Sequence, residues 1–82
     1  MYLEAYGAYV KIYLTNKMII THDKLSHFEQ KLPSSDFIRV HKSFIVALRK
    51  VARIEGNRLF LAAQAIPIGG TYRKGVKTWV KS

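Results

Sequence analysis

Three cationic or potentially cationic residues and one hydroxyl interrupt Phe37-Ile38-Arg39-Val40-His41-Lys42-Ser43-Phe44-Ile45-Val46, a run otherwise apolar enough for a protein interior. Their types allow two kinds of chemistry. His41 and Ser43, with Asp36 upstream, are the residue types of a hydrolytic triad, whereas Arg39, His41 and Lys42 suit the binding of an anion. The first reading has no support, because nothing around Ser43 resembles a nucleophile elbow and Ser, His and Asp coincide often in any chain. Metal chemistry fares no better. His22 and His27 are five residues apart, which on a helix turns them to different faces, and the chain has no cysteine. Gly69-Gly70-Thr71-Tyr72-Arg73-Lys74 lacks the spacing of a Walker loop, so its glycines are read as freeing the backbone to turn and present Arg73 and Lys74. No catalysis and no cofactor are expected.

The anion-binding reading gains weight from the distribution of charge. Residues 1–36 hold four Lys or Arg (11, 17, 24, 31) against four Asp or Glu (4, 23, 29, 36), a balance of zero. Residues 37–82 hold ten (39, 42, 49, 50, 53, 58, 73, 74, 77, 81) against Glu55, so 10 − 1 = +9, the whole net charge. A solvated surface normally mixes both signs, and this half does not. The commonest partner of such a field is a polyanion. An acidic membrane would call for a long basic amphipathic helix, whereas these cations fall mostly at turns and strand ends, which favours nucleic acid. Arg39, Arg49, Arg53, Arg58 and Arg73 can pair with guanine edges, and lysine meets phosphate or single acceptors. Tyr2, Tyr6, Tyr9, Tyr13 and Tyr72 could instead stack on unpaired bases, so a single-stranded RNA or DNA binder is an alternative, as is a module for an acidic protein partner.

The elements that must position these groups are short. At 82 residues the chain is one domain, of a size that buries roughly 60–65% of its unfolded surface. Tyr9 to Leu14 alternate with the period of a half-buried strand, and a turn at Thr15-Asn16-Lys17 leads into Met18-Ile19-Ile20 as a hairpin. Thr21 to Asp23 offer helix caps before Leu25, Phe28 and Leu32 at helical spacing, so one short helix is expected near 23–32, closed by Pro33. Phe37–Val40, Phe44–Leu48, Val51–Glu55, Arg58–Ala62 and Gln64–Ile68 read as strands, the third and fourth joined by a tight turn at Gly56-Asn57. Val76, Trp79 and Val80 fit a helical turn or two near the C-terminus. The expected fold is a mainly β, antiparallel domain. The longest apolar stretches are far below the ~20 residues of a membrane span, and the reading is of a soluble, cytoplasmic protein.

Four segments, taken together, resemble the LytTR DNA-binding domain of bacterial response regulators in order and spacing: Tyr2-Leu3-Glu4-Ala5-Tyr6-Gly7-Ala8-Tyr9-Val10-Lys11-Ile12, the block from Phe37 to Val46, Ile54-Glu55-Gly56-Asn57, and Ile66-Pro67-Ile68-Gly69-Gly70-Thr71-Tyr72-Arg73-Lys74. The resemblance covers essentially the whole chain. It implies an elongated β fold lying along double-stranded DNA, inserting loops into successive major grooves at promoter direct repeats. Carried over, the base-contacting places fall near Ala8 and Tyr9, on Lys42 and on Arg73, with Arg39, His41, Ser43, Tyr72 and Lys74 as phosphate-contacting or positioning neighbours. The resemblance also implies an upstream receiver domain that controls dimerisation, and a further strand region before the Glu-Ala segment. With that region left off, a sheet edge at the N-terminus is expected to be open, and homodimerisation or strand exchange through it follows as an expectation.

Overall fold

The computed structural model describes residues 2–62 and 64–81 and shows two antiparallel sheets with two helices. The first sheet has five strands in the order β3-β2-β1-β5-β4, where β1 is Tyr2–Tyr6, β2 Tyr9–Tyr13, β3 Met18–His22, β4 Phe37–His41 and β5 Phe44–Ala47. The second has three, β6-β7-β8, formed by Val51–Glu55, Arg58–Leu61 and Gln64–Pro67. Helix α1 is Leu25–Lys31 and helix α2 is Arg73–Lys81, each a short element in a body of 33 × 24 × 21 Å.

Strict alternation along the five-stranded sheet sends its side chains into two separate cores. Leu3, Val10 and Ile45 join Leu25 of α1 on one face, with Phe28 and Leu32 packed against them. Val40 and Val46 project the other way, meeting Leu59, Leu61, Ile66 and Ile68 around the small sheet and Val76 of α2. Each fully buried aliphatic side chain here contributes roughly 1.5–3 kcal/mol, which is why strands of four or five residues suffice.

Two hairpins turn on glycine. Tyr6 faces Tyr9 across Gly7-Ala8, and Glu55 faces Arg58 across Gly56-Asn57; both glycines have φ of 59°, at the first turn position where only glycine is unstrained. Ala62 adopts a φ of 49° without that freedom.

Several expectations need correction. Helix α1 starts at Leu25, not 23: its N-cap is Lys24, which offers no side-chain cap, and Asp23 accepts the Lys24 N–H at 2.8 Å, one residue too early to cap the helix. The C-terminal turn is a nine-residue helix. The side chains of Trp79 and Val80 lie outside the described residues. Tyr2–Tyr6 form a strand that lies between β2 and β5, paired on both sides, so the N-terminal edge expected to be open is closed and the free edge on that side is β3. Gly69 has an ordinary extended φ of −69° and so serves no unusual backbone turn.

Candidate nucleic-acid interface

The turn between β4 and β5, His41-Lys42-Ser43, is held from several sides. Arg39 donates from Nη2 to the Lys42 carbonyl at 2.7 Å and from Nε to the His41 carbonyl at 3.3 Å, while Nη1 pairs with Glu29 of α1 at 3.0 Å. His41 Nδ1 accepts the Ser43 backbone N–H at 3.0 Å, which puts the proton of the neutral ring on Nε2. The Ser43 carbonyl in turn accepts the Ala5 N–H at 2.8 Å, tying the turn to β1. Ser43 thus meets His41 through its backbone, which is not the geometry of a triad. The Lys42 ammonium has no partner among the described residues.

From this turn the surface continues in two directions. On one side a groove of about 690 Å³ is lined by Arg39 and Lys42 together with Ala8 and Tyr9 of the β1–β2 hairpin, and by His22 and His27 across it. On the other, the Gly69 N–H donates to the Val40 carbonyl at 2.8 Å. A Cβ at Gly69 would lie 3.1 Å from Cδ2 of Tyr72 and 3.5 Å from Cα of His41, so glycine lets the segment approach without displacing the Tyr72 ring. That contact seats the start of α2, with Tyr72, Arg73 and Lys74, beside the turn. Arg73 donates from Nη2 to Oδ1 of Asn57 in the β6–β7 turn. Two cations and no carboxylate occupy the first turn of α2, against the helix dipole. An anion bound there relieves that repulsion.

All nine residues expected to contact or position the partner fall on this connected path, but their freedom differs. Each nitrogen of the Arg39 fork makes one bond within the protein, so Arg39 holds the turn with three of its five N–H donors. Lys42 and Lys74 present uncommitted ammonium groups among the described residues. The tyrosines are mostly engaged: Tyr2 stacks on Tyr13 with centroids 4.5 Å apart, Tyr13 donates to Glu4 at 3.1 Å, Lys11 lies 3.8 Å over the Tyr6 ring, and Tyr9 meets His22 edge-on. Burial first, and the Glu4 carboxylate second, push both the Tyr2 and Tyr13 hydroxyls above the ordinary tyrosine range. Rings so occupied make a poor platform for stacked bases. Glu29 and Asn57 were not foreseen as parts of the site; their partners lie ten and sixteen residues away, and no local spacing marks such pairs. Among the described residues no group of three His, Cys, Asp or Glu side chains is placed to hold a metal ion, and no helix is long and apolar enough to cross a membrane.

The LytTr DNA-binding domain family matches residues 1–81. The chain belongs to the LytTR family of DNA-binding domains. Its curated relatives include the sensory transduction protein LytT of Bacillus anthracis, 31% identical over 74 residues, covering 83% of this chain and 30% of that protein. The LytT protein of Bacillus subtilis strain 168 is 39% identical over 61 residues, covering 67% of this chain and 25% of the relative. This chain therefore spans less than a third of the curated relatives it matches. A solved LytTr DNA-binding domain of a response regulator from Bacillus cereus superposes with a TM-score of 0.92 at 25% identity, covering the whole of this chain and 81% of that one. LytTR membership carries DNA binding in transcription regulation, and the β architecture is that of the solved LytTr domain.

Proposed function

We propose that this LytTR domain binds double-stranded DNA sequence-specifically, at promoter direct repeats, as the output module of a cytoplasmic two-component transcription regulator whose receiver domain precedes it. It performs no catalysis. Lys42 and Arg73 read base edges, Ala8 and Tyr9 form a third point of contact, and His41, Ser43, Tyr72 and Lys74 position these groups or meet phosphate. The observation that carries this reading is the uncommitted Lys42 ammonium on a turn fixed by Arg39, sharing one groove with Ala8 and Tyr9 and adjoining the cationic start of α2. A turn whose backbone is already held on both sides has little backbone entropy left to lose on binding, so the contact bears only the ordering of the side chain. Phosphate attraction from the remaining cations supplies the salt-sensitive part.

The test is selection from a random duplex pool at two salt concentrations with a single-stranded pool as competitor. Enrichment of spaced direct repeats that survive the higher salt is expected. Preference for the single strands would refute the duplex reading. With the selected site in hand, Arg73→Ala should lose roughly 1–3 kcal/mol of specific binding and relax base preference, while Lys77→Ala weakens specific and random duplex alike. Equal losses on both duplexes for Arg73→Ala would remove it as a reader.

A further inference from the structure

Among the described residues the two sheets have four edges, and three of them carry features that disfavour a further strand. Strand β4 has an irregularity between Arg39 and His41, and its Val40 carbonyl is taken by Gly69. Strand β6 is irregular between Val51 and Arg53 and bears Arg53 and Glu55, and β8 ends in Pro67, which has no N–H to offer. Strand β3 has none of these protections. It pairs with β2 without a register shift, contains neither proline nor a Lys, Arg, Asp or Glu, and exposes Met18, Ile19 and Ile20 to 45%, 42% and 54%.

We infer that β3 is a self-pairing edge, through which two copies of this chain associate antiparallel about a two-fold axis at Ile20. The register comes from the hydrogen-bond pattern. Leu14 N–H donates to the Lys17 carbonyl at 2.8 Å, and continuing that pairing along the unshifted hairpin makes Ile12 with Ile19 and Val10 with Thr21 the bonded pairs. The backbone groups of Met18, Ile20 and His22 therefore point away from β2. Placing Ile20 opposite Ile20 sets Met18 against His22, so all the outward groups of both strands find partners. The same register brings Lys17 opposite Asp23 at each end, giving two complementary charge pairs without any change in the fold. Met18 and Ile20 of each copy lie together on one face, covering apolar surface that each leaves exposed alone. Such a pair is two-fold symmetric, whereas direct repeats are related by translation, so the pairing belongs to protein that is off the DNA. The pairing itself stands on the edge alone; its assignment to protein off the DNA rests on the direct-repeat reading proposed above.

Sedimentation equilibrium of this chain without DNA should show an average mass that climbs with concentration and levels at twice the monomer. Hydrogen exchange should show the amides of Met18, Ile20 and His22 gaining protection on the same concentration scale, while those of Ile19 and Thr21, already bonded to β2, do not change. Ile20→Pro removes only an outward N–H and should hold the protein monomeric; should that variant fail to fold, Ile20→Lys, which sets two ammonium groups against each other at the axis, decides the matter by the same measurement. A mass that stays monomeric at every concentration, a mass that passes two without levelling, or an Ile20→Lys variant that associates like the parent would each overturn the inference.

Discussion

Replacing Arg39 by methionine keeps most of the stem and removes every donor, so the loss can be worked from the bonds observed. The 2.7 Å bond to the Lys42 carbonyl is charge-assisted but near solvent and contributes about 1 kcal/mol. The 3.3 Å bond to the His41 carbonyl is long and adds about 0.5 kcal/mol. The Glu29 pair joins a guanidinium that is 18% exposed to a carboxylate that is 50% exposed, and after screening it contributes about 0.5 kcal/mol. The sum is about 2 kcal/mol, which in a domain of this size lowers the melting temperature by roughly 10 °C. Urea unfolding of the parent, Arg39→Met, Glu29→Gln and the double variant separates the terms, and the cycle should return only the small pair term between Arg39 and Glu29. Duplex binding of Arg39→Met should lose site preference, because Lys42 then sits on a loosened turn, while the salt slope stays as in the parent. Parent-like stability together with a salt slope shallower by about one would show that Arg39 meets a phosphate instead, and the positioning argument would fail.

Three further substitutions test the geometry elsewhere. Gly69→Ala must push the Tyr72 ring back by a few tenths of an ångström and should cost about 1 kcal/mol with weaker DNA binding, whereas Gly70→Ala, which meets open space, should be close to neutral in the same unfolding assay. Ala62→Gly relieves a left-handed φ of 49° and should raise stability by about 0.5–1 kcal/mol in urea; no gain would show that the turn is unstrained. The Asp23 carboxyl is held below the usual carboxylate range, first by the Lys24 N–H and then by His27. Because its folded value is depressed, its contribution is present above the unfolded value and is lost as pH falls below about 4, so Asp23→Asn should flatten the acid limb of the stability profile measured by circular dichroism.

What the sequence discloses depends on whether burial or partnership decides a residue's place. Val10 and Ile12 had to alternate to keep one face in a core, and Leu25, Phe28 and Leu32 had to recur at helical spacing, so β2 and α1 were legible. Gly56 was legible as a turn because its φ is one that other residues avoid. Strand β1 was not read as a strand in its own right: it contributes a single buried side chain, Leu3, and is a strand because β2 and β5 flank it. Helix α2 was underestimated, since cations in its first turn and Gly75 weaken it locally and the burial of Val76 against the small sheet supplies what propensity lacks. Charge is the subtlest case. Arg39 and Lys42 are equal in any count that yields +9. Only the fold shows that one is bonded to Glu29 and two carbonyls and that the other's ammonium is not bonded among the described residues. Arg53 likewise spends its charge on Glu55 and lies 4.1 Å over the Phe60 ring. The field that attracts DNA is therefore the sum of all these cations, and what each can add to a contact depends on how many of its donors the protein has already engaged: three of five for Arg39, one for Arg73 on Asn57, and, among the described residues, none for the Lys42 ammonium.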